Sequence, residues 1–572
     1  MPTPLPDPAA TRTQRKHMHS NSVHKLFDDL RRKHIPTWVF LWSAAVVYTY
    51  AYLVNPALPG NNITYPEGWW GWFDQSQYLL SAKSWLAHDL SPAHHYYPPL
   101  YPLIGAVFYR WIPVHPFFFF NGVAFVGFIY TFLRFASRYI SRVETLAVVA
   151  VAIYFNPTIM ENFAIPWSTA GTIAIYSAMI LMLMQLDRHV LEMHAHGSFK
   201  TFLIALCFSA IFGLLVILRP VDAGLAAIFS PAYLCLQFRR DRLLPKPSRW
   251  QRGLLTCVAL GCGLAVGLGL FAIYNAHVFG SPLGGYVKST ATSSGYFISE
   301  LPRKAFSLLF DSNTYFLEPD ASIVSKYPWV LLSILGLLVF LVRGDALLRI
   351  IALAIVFHFC LYAPYGDLLP NGVWRFKNIH YFKWMFPYLM LFAWLLVRWV
   401  LVSSSSELGR ANFSARTVGI RLATVCVLGL AICSLRFSAH ETPAVSDVSS
   451  ENSSLEVKIH ASGAPKVIDF IDLQGMEGGF TEIYFGQHRL TVDGRMLFLT
   501  RDFRLVPAPW GARLLLIHPV SGSEIVFDPA APVKASTSGI KAFVGNYHLS
   551  LGRPKLKRDA GCPMGAPMCS PS

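Results

Sequence analysis

Charge is scarce in this sequence. Asp, Glu, Lys and Arg together make up 14% of the 572 residues, whereas a soluble globular domain carries about 25%. Apolar residues fill 53% of the chain and the mean hydropathy is +0.41. Those values exclude disorder, a coiled coil and a soluble enzyme with one wet surface, and they leave a polytopic membrane protein. Cysteine is sparse where it would do chemistry. Seven of the nine (Cys207, Cys235, Cys257, Cys262, Cys360, Cys426, Cys433) lie in apolar runs and read as small hydrophobes. Only Cys562 and Cys569 lie outside them, where a disulfide is chemically feasible, and no CxxC or Cys/His zinc spacing occurs. The sequence also lacks a Walker motif, a dinucleotide fingerprint and an internal repeat, which argues against a soluble-type transferase driven by ATP or a sugar nucleotide.

Acid is scarcer still than base: 48 Lys and Arg face 32 Asp and Glu, for a net charge of +16. In a soluble chain this excess would suggest nucleic-acid binding; in a membrane chain it reads first as topology. Apolar runs near 36–54, 116–133, 144–159, 167–186, 201–218, 221–238, 253–274, 328–342, 346–364, 384–400 and 417–434 predict about 11 transmembrane helices. A twelfth run, 98–112, is short and proline-bounded. If it crossed, the six basic residues of 239–252 would move to the exterior, against the positive-inside tendency. We therefore read 98–112 as an exterior or interfacial segment. The expected organisation is a basic, disordered cytoplasmic tail at 1–35, with 36–54 as an uncleaved anchor, then a transmembrane domain at 36–434 and an extracytoplasmic domain at 435–572. The expected location is a bacterial cytoplasmic (inner) membrane.

Past residue 434 the pattern changes period. TEIYFG (481–486), RMLFLT (495–500), ARLLLIHP (512–519) and SEIVFDP (523–529) alternate with period two, and Asp493-Gly494 and Ser521-Gly522 supply turns. A small β-rich domain is expected.

Candidate chemistry gathers in the first exterior loop, 55–115. Trp69, Trp70, Trp72, Tyr96, Tyr97 and Tyr101 are expected to anchor it at the interface. Tyr78, Ala82, Trp85 and Leu86 recur at helical spacing, predicting an amphipathic helix opened by Asp74. Two readings of Asp74 stand. With Gln77 it fits a capping box; as an exterior carboxylate it fits a general base for an acceptor hydroxyl. His88, Asp89, His94 and His95 are either a candidate metal cluster or exposed loop residues, so a divalent metal remains a candidate cofactor. Glu161 follows Asn156-Pro157 and reads as a helix cap or a cavity residue. Arg219 sits three residues before Asp222, a spacing that suits an ion pair. WRFKNIHYFKW brings Arg375, Lys377, His380 and Lys383 near a span end. They either snorkel or supply charge for an anionic leaving group. Arg303 and Lys304 are further exterior cations, read as a solvated loop. Gly263 and Gly267 have the small-xxx-small spacing of close helix packing.

The order of short motifs resembles the GT-C superfamily of polyprenyl-phosphate-sugar-dependent glycosyltransferases, notably its protein O-mannosyltransferase and lipid A aminoarabinose transferase branches. The carriers are Asp74-Gln75-Ser76-Gln77-Tyr78-Leu79-Leu80-Ser81-Ala82, then Pro98-Pro99-Leu100, ILRPVD (217–222) and YNAHVFGSPLGGY (274–286). Gln75 replaces the usual second acid, and the Lys that often precedes the proline pair is absent. The resemblance implies a GT-C fold and an inverting transfer of sugar from a polyprenyl-phosphate carrier to an extracytoplasmic lipid, glycan or protein hydroxyl. Asp74 would be the base. Arg375, Lys377, His380 and Arg303 are the expected contacts of the donor phosphate, and Tyr78, His94, His95, Glu161 and Arg219 those of the cavity or acceptor. A transporter or flippase of lipid-linked saccharides is the alternative. It fits less well because ionisable residues gather at span ends and no repeated halves are seen.

Overall fold

A computed structural model describes residues 35–188, 198–243, 245–289, 298, 301–317, 320–365, 368, 373–374, 377–401, 415–451, 454–460, 467–477, 488–498, 502–508, 510–528, 534–535 and 540–551. The expected tail at 1–34, Arg375, the 481–486 run, Cys562 and Cys569 lie outside the described residues. The chain divides into two compact units, Met1–Ala415 with Phe498–Phe503, and Arg416–Leu497 with Arg504–Ser572.

The first unit is helical. Its helices of eight residues or more are α1 Thr37–Leu53, α2 Phe73–Leu86, α3 Leu100–Tyr109, α4 Phe118–Ala136, α5 Arg142–Val149, α6 Pro157–Ala164, α7 Thr169–Arg188, α8 Ser198–Leu218, α9 Ala226–Arg240, α10 Lys246–Phe279, α11 Leu301–Leu309, α12 Trp329–Arg343, α13 Ala346–Tyr362 and α14 Phe386–Leu401. Each apolar run expected to cross overlaps one or more of these helices or, for 417–434, α15 Ala415–Ser434 of the second unit. Length separates them. Among the described residues, five helical segments are long and apolar enough to cross a membrane: Phe118–Ala136, Thr169–Asp187, Phe199–Leu218, Pro247–Phe279 and Lys383–Leu401. A sixth crossing arises if the pair Arg142–Tyr154 and Pro157–Ala164 counts as one, bent by 78°. The bend has a local cause: a π turn at Ala150–Tyr154, then Asn156, whose side chain accepts the Ile159 N–H and caps α6 behind Pro157.

Helix α3 is a single ten-residue helix, about 15 Å at 1.5 Å per residue, half of what a bilayer core needs. Pro99 sits at its N-cap, where a missing N–H costs nothing.

Helices α8 and α10 meet where the sequence places its small residues. A methyl added to Gly267 would fall 2.3 Å from the Gly213 Cα, so the two backbones touch. That is the close packing expected of the 263–267 spacing.

The second unit begins with α15, which passes directly into strand β1. The unit boundary therefore falls before this helix rather than after it. Strands β1 Leu435–Glu451, β2 Ser454–His460, β3 Ile468–Gln474, β4 Met476–Glu477, β5 Arg489–Val492, β6 Arg495–Phe498, β7 Phe503–Ala508, β8 Gly511–Val520, β9 Glu524–Asp528, β10 Lys534–Ala535 and β11 Lys541–Leu551 follow. Nine of them pair in the order β6-β5-β9-β2-β1-β11-β3-β8-β7, and β4 pairs with β10. The long β1 joins the halves, pairing with β11 through Ala444 and with β2 from Val445. Asp493 and Gly494 both have positive φ, 45° and 76°, the conformation of a two-residue hairpin turn between β5 and β6. The Ser521-Gly522 turn instead links β8 and β9, which lie in different halves of the sheet.

Candidate functional site

The 55–115 segment is built on buried aromatics. Trp69 and Tyr101, expected at the interface, are fully enclosed. Trp69 packs edge-on against Tyr52 at 5.2 Å, and Tyr101 stacks on Phe117 at 4.4 Å while its hydroxyl bonds Asn121. The sequence shows aromatic density but not which rings have partners on α1 and α4, and here packing wins over interfacial anchoring.

Helix α2 starts two residues earlier than the capping reading requires. Its N-cap is Trp72, which makes no capping bond, so the expected Asp74/Gln77 box does not form. Asp74 lies in the first turn, where the helix dipole favours a carboxylate. Its Oδ1 accepts the hydroxyl of Tyr97. Burial, reinforced by the Asp74 charge, holds the Tyr97 phenol well above its usual value, so it stays a proton donor. Gln75 is buried, and its amide donates to the Pro166 carbonyl at 3.3 Å. The position where the resemblance expects a second acid is thus turned into the protein.

From Asp74 a chain of polar contacts leads inward. The Tyr97 ring lies 4.7 Å from Tyr78, and the Tyr78 hydroxyl meets Ser168 Oγ at 3.1 Å. Ser168 also accepts from Arg219 Nη1 at 3.0 Å. Arg219 Nε bonds Asp222 Oδ2 at 2.9 Å, the pairing expected from their spacing, and Nη2 donates to the Tyr362 hydroxyl at 3.0 Å. Its guanidinium lies 5.0 Å above the Tyr381 ring. The Asp74 and Arg219 charges both act on Tyr78 and Tyr381. A carboxylate on α2 and a largely buried cation therefore share one aromatic layer.

The remaining candidates separate. Lys377 bonds both oxygens of Glu161, at 2.7 and 2.6 Å, across 216 residues of sequence. Each is the other's counter-ion, so the two residues expected in separate groups lie together. His380 is buried and stacked on Trp167 at 3.9 Å. Burial, with the charges of Arg219 and Lys383 beside it, holds its imidazole well below the usual histidine value. It is therefore neutral rather than the cation expected for the donor phosphate. Arg303 lies over Tyr315 at 5.5 Å. Lys304 is not in a solvated loop; it is buried on α11 and bonds the Pro364 carbonyl at 3.1 Å.

His95 is fully buried and spent on structure. Its Nε2 meets the Asp89 carbonyl at 2.7 Å and its Nδ1 meets Ser81 Oγ at 2.9 Å. With both nitrogens engaged it clasps the loop to α2, and it has no lone pair for an acceptor or a metal. His94 is partly exposed and bonds Asp89 Oδ2 at 2.6 Å. The Ser91 N–H and hydroxyl, with His94, pull the Asp89 carboxyl down to about 2. Among the described residues no three His, Cys, Asp or Glu side chains cluster as a metal site. The Asp89/His94 pair is too small a donor set for a divalent ion.

Reading the sequence by exterior position alone missed Thr172, whose hydroxyl bonds Asp222 at 2.6 Å, Tyr362, and His358, whose Nε2 bonds the Tyr381 carbonyl at 3.1 Å. All three sit inside helices, at 169–188 and 346–362, within apolar surroundings. Their one visible signal was being polar in an apolar run. Compared with known proteins, the chain matches no family model, no curated protein and no solved structure.

Proposed function

We propose that this protein is an integral membrane glycosyltransferase of the GT-C type. It takes a sugar from a polyprenyl-phosphate carrier and passes it to an extracytoplasmic hydroxyl. The observation that carries this reading is the Asp74–Tyr97–Tyr78–Ser168–Arg219 chain of contacts, which links a carboxylate to a cation. In the transfer, Asp74 accepts the acceptor's O–H proton as that oxygen attacks the anomeric carbon. The bond from that carbon to the phosphate oxygen breaks on the opposite face, and polyprenyl phosphate leaves with the electron pair. The products are an inverted glycoside, the lipid phosphate and a protonated Asp74. A cation near the phosphate lowers the barrier because negative charge grows there in the transition state. Arg219 is that cation in our reading: Asp222 holds its Nε, while its two terminal nitrogens bond neutral hydroxyls, whereas the Lys377 ammonium is spent on both oxygens of Glu161.

An apolar groove of about 630 Å³ between α1 and α4, lined by Leu41, Tyr48, Gly122 and Val126 among others, suits a lipid tail. The topology belonging to this reading has about eleven crossings of a bacterial inner membrane, a cytoplasmic N-terminus and an exterior β-rich unit.

Asp74→Asn tests the function. Turnover of polyprenyl-phosphate sugars in membranes should fall about 10²- to 10⁴-fold, the range for loss of a general base, with unchanged expression and thermal midpoint. Full turnover in a normally folded Asp74→Asn protein would overturn the assignment.

A further inference from the structure

Asp222 takes no part in the transfer step, yet it is enclosed to 1% exposure and surrounded by donors. Oδ2 accepts from Arg219 Nε at 2.9 Å and from the Thr172 hydroxyl at 2.6 Å. Oδ1 accepts from the Tyr362 hydroxyl, and the Asp222 backbone carbonyl accepts from Tyr176 at 3.1 Å. Such enclosure is costly. Taking a carboxylate and a guanidinium out of water carries a desolvation penalty that their attraction repays only with good geometry, and apolar side chains of similar volume hold helices together as well or better. Helix packing alone gives no reason for these groups.

The geometry around Arg219 supplies one. A guanidinium has five N–H groups. Nε is held by Asp222, one N–H of Nη1 by Ser168 and one of Nη2 by Tyr362. Tyr362 accepts from Arg219 and donates to Asp222, so one phenol locks the acid and the base together. Tyr381 covers a face of the group at 5.0 Å. Rotation of the fork would break several of these contacts at once. Among the described residues, no acceptor meets the second N–H on either terminal nitrogen, a pair suited to a phosphate oxygen.

We infer that Asp222, with Tyr362, is a positioning residue: it holds the Arg219 guanidinium in one orientation for the phosphate of the lipid-linked donor as the bond to the sugar breaks. The inference rests on the transferase reading. Asp222 touches neither substrate nor reacting atoms, and its effect on rate runs through Arg219.

The test uses the full-length protein in detergent, with polyprenyl-phosphate mannose and polyprenyl-phosphate aminoarabinose as donors and polyprenyl phosphate alone as a binding probe. Asp222→Asn should lower kcat about 100-fold, the scale for a displaced catalytic group, with the donor KM moving by less than about threefold because the interaction matures in the transition state. In an Arg219→Lys background the same substitution should lower kcat no further. An equal fold loss in both backgrounds would mean that Asp222 acts on its own or through general loosening, and the inference falls. If Asp222→Asn does not give folded protein, Tyr362→Phe removes only the locking hydroxyl. It should cost about tenfold in the Arg219 enzyme, as one mispositioned contact would, and nothing in the Arg219→Lys enzyme. Equal losses again overturn the inference. A wild-type protein that neither turns over either donor nor binds polyprenyl phosphate sinks the transferase reading itself. Wild-type turnover with unaffected variants sinks only the role of Asp222.

Discussion

Each unit of this protein buries an Arg–Asp pair, and the two are built differently. In the β-rich unit, Asp472 on β3 and Arg513 on β8 are direct cross-strand partners. Their bonds are bidentate, Nε to Oδ1 and Nη2 to Oδ2, both 2.6 Å. Glu441 adds a second carboxylate at 3.4 Å, Tyr547 a hydroxyl at 3.2 Å, and the Phe470 ring lies 4.1 Å beneath. Arg513 is oversupplied with anion. Among the described residues, Arg219 has one carboxylate, bonded through a single nitrogen, and otherwise neutral hydroxyls. A bidentate pair fastens a sheet; a pair joined through one nitrogen leaves the two terminal nitrogens of the guanidinium facing uncharged groups.

The comparison breaks most sharply at the bidentate pair. Arg513→Ala strands Asp472 in the sheet, and removing one member of a buried pair costs about 3–5 kcal/mol. Amide hydrogen exchange in the full chain should show β3, β8 and β11 losing protection while sugar transfer per folded molecule stays the same. The double substitution Arg513→Met/Asp472→Leu should recover most of that loss, because neither desolvated charge remains. If Arg513→Ala left exchange unchanged, the pair would not be fastening the sheet.

The first unit should answer instead to packing. Gly267→Ala puts a methyl 2.3 Å from the Gly213 Cα and 2.4 Å from its carbonyl oxygen. Helices α8 and α10 must move apart, at an overpacking cost of about 1–3 kcal/mol. The thermal midpoint of the detergent-solubilised protein should drop. Gly261→Ala and Gly269→Ala, where a methyl meets open space, should leave it in place or raise it slightly. Equal effects at all three glycines would show that close contact is not what holds these helices.

How much of this could be read in advance follows the range of each interaction. Helices came from apolar runs because burial in lipid or core is written locally. The Arg219–Asp222 pair was legible because i and i+3 are neighbours on one turn. The hairpin at Asp493-Gly494 was legible because its dihedrals select those residues. The capping reading of Asp74 failed because a two-residue shift of the helix start gives the N-cap to Trp72. Nothing local could tie Glu161 to Lys377, 216 residues on, or Ser168 to Tyr78, 90 residues back. The histidines misled for the same reason: their type advertised metal or acid–base chemistry, whereas tertiary packing buried His95 and His380.

The smallest expected effect belongs to the ion pair at the surface. Asp89 is held at about 2, below the ordinary 3.8, by the Ser91 N–H and hydroxyl and by His94. A depressed carboxylate contributes stability that is fully present above its unfolded value and is lost as pH falls through its folded one. The 89–95 loop should therefore keep its protease resistance unchanged from pH 8 to pH 5 as far as Asp89 is concerned, and lose the contribution only as pH falls from about 4 through about 2. Asp89→Asn should shorten the loop's half-life to protease slightly and leave transfer intact, since His95 still bonds the Asp89 backbone carbonyl at 2.7 Å whatever the side chain. A large loss of transfer in Asp89→Asn would move this pair from the loop's fastening into the site, and the contrast between a surface pair and Arg219 would no longer hold.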